Sequence, residues 1–146
     1  MIPRRQLILS TLALGALGAC ASQGPTPTDV ALSITGAADM NGGAPAQVKI
    51  YYLADARVFR AADFFALFEV PETTLGDDLI ATQTFGLAPG RIITNTQSFA
   101  TTPPAAIGVV AAFRDIDGAF SATRTLMPNA SNTVAITLTG NRVTIR

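Results

Sequence analysis

The chain has 146 residues with ten basic and ten acidic side chains, so its formal charge at neutral pH is zero, and it contains no histidine and one cysteine. A length of this order supports one domain rather than two separate cores. Balanced charge argues against a nucleic-acid partner, which requires a basic face, the missing imidazole removes Ser-His-Asp and Cys-His catalysis together with histidine metal sites, and one cysteine cannot form an internal disulfide.

Arg4 and Arg5 precede an uncharged run whose apolar mass comes from Leu7, Ile8, Leu9, Leu12, Leu14 and Leu17, the form of an export signal. The run from Leu7 to Ala19 is shorter than the roughly 20 residues that span a bilayer core, so we read residues 1–19 as a cleaved signal peptide. It ends in Leu17-Gly18-Ala19-Cys20, which resembles the lipobox of bacterial lipoproteins. There the thiol is joined to diacylglycerol before the preceding peptide bond is cut, and the cysteine also takes an N-acyl lipid. The expectation is covalent lipid on Cys20 and no other cofactor. A thiol suits thioether formation because it is a good nucleophile, and more than one acyl chain gives stable anchoring. The alternative, a core thiol, would leave the charged-then-apolar leader without a purpose. Arg4-Arg5-Gln6-Leu7-Ile8 also resembles a twin-arginine export signal, and either route has the same destination. In the lipoprotein sorting pattern, Ala21 after the cysteine points to the outer membrane, facing the periplasm.

Removal of the leader takes two bases and no acid, leaving the mature chain slightly acidic. Residues 20–28 form the lipidated tether, small, polar and proline-bearing after Cys20. At about 3 Å per residue it would keep the domain within roughly 25 Å of the membrane. Residues 29–146 are left for the folded domain.

From there the dominant period is two. Val30, Leu32 and Ile34 alternate with Ala31, Ser33 and Thr35, as in a half-buried strand. Similar segments at 48–52, 79–85, 91–98, 106–114, 120–126, 132–139 and 142–146 predict an all-β sandwich of about eight strands. Between them lie Asn41-Gly42-Gly43, Ala88-Pro89-Gly90, Asp115-Ile116-Asp117-Gly118 and Gly140-Asn141, which accept positive φ or preset a bend. Thr139-Gly140-Asn141-Arg142 predicts a two-residue hairpin. One segment departs from this period: over 58–69, Phe64, Leu67 and Phe68 recur at helical spacing. We predict one short added helix there, ended by Pro71 and packed on a sheet.

Little in the chain suggests chemistry. Asp115-Ile116-Asp117-Gly118 has the beginning of a calcium loop but no acid follows at the required distance, so it reads as a turn. Asp77-Asp78 could be a paired-carboxylate site, yet adjacent residues point apart. Asp55, Arg57, Arg60 and Asp63 are spaced for helical i,i+3 and i,i+4 ion pairs. The loop over 37–45 presents an apparently exposed Met40 beside Asp39 and Asn41, and methionine makes a plastic contact surface.

Gly36-Ala37-Ala38-Asp39-Met40-Asn41, Val48-Lys49-Ile50-Tyr51-Tyr52-Leu53, residues 59–67, Leu75-Gly76-Asp77-Asp78-Leu79 and residues 107–115 together resemble TssJ, also called SciN or VasD, the outer-membrane lipoprotein family of type VI secretion systems. Each motif alone is weak; the ordered set behind a lipobox is specific. The resemblance implies a transthyretin-like two-sheet β-sandwich. It also implies a non-enzymatic anchor of the trans-envelope membrane complex, bound to the periplasmic C-terminal domain of TssM and through it to TssL. The family's contact loop joins the first two strands, which places partner binding here at Ala38, Asp39, Met40, Asn41 and Gly42. Two features depart from the family: the loop is shorter, with Gly42-Gly43 where a polar insertion often lies, and the chain has no tryptophan. A competing class is a periplasmic carrier of small molecules or peptidoglycan fragments, which would need a pocket with convergent polar groups.

Overall fold

A computed structural model describes Gly24 and residues 26–146; the signal peptide, Cys20 and part of the tether lie outside them. All eight expected strands are present: β1 (Thr28–Gly36), β2 (Ala46–Leu53), β3 (Leu79–Leu87), β4 (Ile92–Phe99), β5 (Ala106–Ala111), β6 (Ser121–Thr125), β7 (Ser131–Thr139) and β8 (Arg142–Ile145). They form two four-stranded sheets, ordered β4-β1-β7-β8 and β3-β2-β5-β6. Pairing is antiparallel except between β1 and β7, which run parallel with Val30 opposite Asn132 and Ile34 opposite Ile136. β1 begins at Thr28, which is fully buried, so the last residue assigned to the tether belongs to the fold.

Period-two alternation sends one face of each strand inward. Val30, Leu32 and Ile34 of β1 meet Val134, Ile136 and Leu138 of β7 and, across the sandwich, Val48, Ile50 and Tyr52 of β2 with Ile107 and Val109 of β5. Fully burying each such aliphatic side chain contributes about 1.5–3 kcal/mol relative to exposure. The β7–β8 connection is the expected two-residue hairpin, with Thr139 paired to Arg142 and Gly140 at φ 56°. Positive φ falls only on the first central residue, where glycine is tolerated in a II′ turn.

The second sheet has no polar face at its centre. Every residue of β5 is buried, as its continuous apolar run from Ile107 to Ala112 requires. Its outer side, with Tyr51 and Leu53 of β2, lies under Phe59, Phe64, Leu67 and Leu75 from the connection between β2 and β3. The single helix expected over 58–69 is instead three: α1 (Arg57–Ala61), α2 (Phe64–Glu69) and α3 (Pro71–Leu75). Asp63 causes the first break. Its carboxylate accepts from the Ala66 N–H at 2.8 Å, making it the N-cap of α2 and competing with a continuous turn. Pro71 starts α3 rather than ending a helix, because at the first position its missing N–H is not needed. This layer is fastened to the sheet by polar contacts as well: the Tyr51 hydroxyl donates to the Leu67 carbonyl at 2.6 Å, and the Lys49 ammonium donates to the Phe68 carbonyl while lying 4.3 Å from the Phe68 ring centre.

Gly108 has a specific role beneath α1. A Cβ there would lie 2.6 Å from the Phe59 ring, so the missing side chain is what lets the ring seat on β5. Gly108→Ala should destabilise the domain by about 1–3 kcal/mol through overpacking, and by clearly less in a Phe59→Leu background, as read from urea unfolding of the single and double variants.

Burial also governs the two tyrosines, the only ones in the chain. Desolvation pushes the Tyr52 hydroxyl up to about 12, and desolvation reinforced by the Glu72 charge pushes that of Tyr51 higher still. Raised folded values mean that their contribution to stability is complete below pH ~10, the unfolded value, and falls as pH rises towards the folded ones. A spectrophotometric titration should therefore show no tyrosinate near pH 10, and its appearance at higher pH should coincide with loss of the far-UV circular dichroism signal.

Candidate partner-binding site

Strand directions sort the loops onto two ends. β1 starts at Thr28 at one end and finishes at Gly36 at the other, and its partners fix the rest. The far end carries residues 37–45, the β3–β4 turn at 88–91, the β5–β6 loop at 112–120 and the β7–β8 hairpin. Backbone hydrogen bonds join these segments: the Gly36 N–H donates to the Arg91 carbonyl and its own carbonyl accepts from Gly90, while the N–H groups of Ala37 and Asn41 donate to the carbonyls of Leu138 and Gly140.

Residues 37–45 are pinned from inside. Met40, expected to be exposed, has 0 % exposure and belongs to the inter-sheet core. Its thioether occupies the space beside Gly36, where a Cβ would come within 2.5 Å of the sulfur. Asn41 is also buried. Its amide donates to the Pro45 carbonyl at 3.0 Å and its side-chain oxygen accepts from the Arg114 N–H at 2.7 Å, which ties the loop to the β5–β6 connection. Asn41 has φ 49°, a left-handed conformation that asparagine tolerates better than most residues. Ala38, Asp39 and Gly42 remain exposed. Of the five residues singled out from the sequence, three are thus available for contact, whereas Met40 and Asn41 act on the loop's shape.

The same end exposes Arg91, Arg114, Asp115, Asp117, Asn141 and Arg142, which sequence reading did not connect with the loop. The Asp115 carboxylate accepts from the Asp117 N–H at 3.0 Å and from the Asn141 amide at 3.5 Å, so this motif closes a turn. The result is a rim of both charge signs around a small-residue tip, suited to a protein surface.

Charged residues elsewhere are structural. Asp55 pairs with Arg57 at 2.8 Å, two residues on rather than three or four. The Arg57 side-chain and backbone hydrogen bonds hold the Asp55 carboxyl below its ordinary range, at the surface, where such pairs contribute little. Arg60 donates to Thr123, and Asp63 caps α2. Asp77 and Asp78 sit in a 3₁₀ turn ahead of β3. Among the described residues there is no group of side chains able to hold a metal ion and no pocket. Tyr52, Gln83, Asn95 and Gln97 hydrogen-bond to one another across the gap between β3 and β4.

The sequence model of one protein family, described as "Type VI secretion lipoprotein, VasD, EvfM, TssJ, VC_A0113", matches residues 28–141. The chain belongs to this type VI secretion lipoprotein family. Its fold is shared with the T6SS lipoprotein TssJ1 from Pseudomonas aeruginosa (TM-score 0.77, 28 % identity, 82 % of this chain and 95 % of that one). It is likewise shared with Serratia marcescens Lip, a membrane-bound component of the type VI secretion system (0.70, 19 %, 84 % and 98 %). A chain in the structure described as the T6SS protein TssM C-terminal domain from EAEC is also similar (0.66, 27 %, 80 % and 99 %). No curated protein matches the chain in sequence. The family is a structural lipoprotein component of a secretion machine and not an enzyme, and the two-sheet β-sandwich expected of it is the fold observed.

The division between exposed and buried loop residues has a measurable consequence. Asn41→Ala should cost about 1–3 kcal/mol, because it leaves the Arg114 N–H without its partner. Asp39→Ala should stay within about 0.5 kcal/mol of the parent, with urea midpoints as the readout.

Proposed function

We propose that the domain is tethered through lipid on Cys20 to the periplasmic face of the outer membrane and anchors the type VI membrane complex by binding the periplasmic C-terminal domain of TssM, and so TssL indirectly, with the loop over 37–45. The observation that carries this reading is polarity of construction. The chain enters the sandwich at Thr28 and the loop leaves β1 at the opposite end, so a tether at Thr28 leaves the loop free to face away from the bilayer. Pre-organisation supports it further: with Met40 and Asn41 fixed, little conformational freedom is lost when Ala38, Asp39 and Gly42 meet a partner. The structural likeness to a chain in the TssM C-terminal domain structure favours TssM as that partner. A modest interface can suffice because several anchors on one complex add through effective concentration. A carrier role finds less support, since the inter-sheet space is filled by the side chains of Tyr52, Leu87 and their neighbours.

Binding of residues 21–146 to the periplasmic C-terminal domain of the TssM from the same genome tests the partner and the site together. Asp39→Arg and Ala38→Arg should each weaken it about tenfold or more, equivalent to ~1.4 kcal/mol, whereas Asp77→Arg at the other end should leave it unchanged. Equal affinity of all three variants would move the contact away from the loop.

A further inference from the structure

The end of the sandwich where the tether enters is as deliberately built as the far end. Two of the three buried polar residues of the described chain, Thr28 and Asn132, serve it. The Thr28 hydroxyl accepts from the Asn129 N–H at 2.7 Å. The Asn132 amide donates to the carbonyls of Met127, Ala130 and Asp29 while its oxygen accepts from the Met127 N–H at 2.8 Å. The β6–β7 loop is thereby clasped to the first residues of β1. Leu126 is buried, and its N–H donates to the Ala105 carbonyl, joining this loop to the β4–β5 loop beside it.

What the clasp holds outward is Met127, 67 % exposed, the largest fraction among the exposed large hydrophobic residues. Pro128, Asn129, Ala100, Thr101, Thr102 and Pro103 surround the tether entry and are exposed as well. No charged residue occurs from 92 to 113 or from 125 to 141, so Asp29, partly buried at the second position of β1, is the one acid at this end of the first sheet, against Asp55, Asp77 and Asp78 at the corresponding end of the other. Seven residues lie between Cys20 and Thr28, and their eight backbone steps limit the separation of lipid and fold to about 28 Å even for a fully extended chain.

We propose that this sparsely charged end rests on the bilayer that holds Cys20, with the Met127 side chain inserted at the level of the lipid headgroups. The inference rests on lipidation of Cys20. A rigid loop with an unbranched apolar side chain loses little freedom on insertion, and the β4–β5 and β6–β7 loop residues around it carry no charge to desolvate. The acids under the second sheet set a tilt, since carboxylates are held in water when anionic headgroups lie beneath. Contact at this end would direct the far-end loops outward instead of leaving the domain free to turn about its tether.

The test uses the full lipidated protein in vesicles of phosphatidylethanolamine with a minority of phosphatidylglycerol. Acylation occupies the thiol of Cys20, so Met127→Cys and, as a far-end control, Asp39→Cys each offer one free thiol for a nitroxide. On reconstitution the label at 127 should lose accessibility to an aqueous nickel chelate and gain accessibility to oxygen, while the label at 39 keeps its aqueous values. Flotation with the vesicles together with equal aqueous accessibility at both positions would overturn the inference while leaving the anchor intact. Failure to float, with Cys20→Ala behaving as the parent, would refute lipid anchoring and the inference with it.

Discussion

Strand β1 is the element on which the rest depends. It is an interior strand, hydrogen-bonded along its length to β4 on one side and β7 on the other, and its nine residues span about 30 Å at ~3.3 Å each. The chain enters it at Thr28 and leaves it into the loop over 37–45 at the opposite end, so under the proposed anchoring role a pull between membrane and partner would run along the strand. Load in that direction shears both ladders together, and no single bond can give way alone. The parallel pairing with β7 places the Gly140 hairpin beside Asn41, so the loop over 37–45 is held by the same pair of strands.

The two sheets are finished differently. On the first, the centre of the outer face is made of Ala31, Ser33, Thr35, Thr94, Thr96, Thr133, Ala135 and Thr137, small or hydroxyl-bearing side chains, with Asp29 and the exposed Ile92 at its margins. On the second, apolar residues occupy both faces at the centre, and α1 to α3 supply the missing layer. Lys49 and Tyr51, whose side chains would otherwise stand on an open face, fasten that layer by donating to carbonyls of α2. Both ends of the sandwich are fixed by asparagines: Asn132 near the tether and Asn41 at the loop each bind backbone groups of neighbouring segments. The interior thus fixes the shape of the loops at both ends of the sandwich.

The strands were legible because period two is a direct consequence of the pleat, and the turns because glycine, proline and asparagine mark them. The helical segment was legible in its apolar spacing and not in its continuity, since Asp63 and Pro71 act through cap and first-turn geometry that a face-by-face reading overlooks. Met40 was misplaced for a related reason. Its neighbours Asp39 and Asn41 are polar, but the chain turns its thioether into the space that Gly36 leaves open. The grouping of Arg114, Asp115 and Asn141 around the loop depends on which strands are adjacent, above all on the parallel β1–β7 pair, and local sequence carries no record of that.

Hydrogen–deuterium exchange of the domain, free and bound to the periplasmic C-terminal domain of TssM, tests the two-ended account most directly. Protection on binding should be confined to residues 37–45 and the adjoining 112–118 and 139–142, with 99–105 and 126–130 unchanged. Protection centred on the helical layer or on the tether end would contradict the assignment of one end to the partner and the other to the membrane.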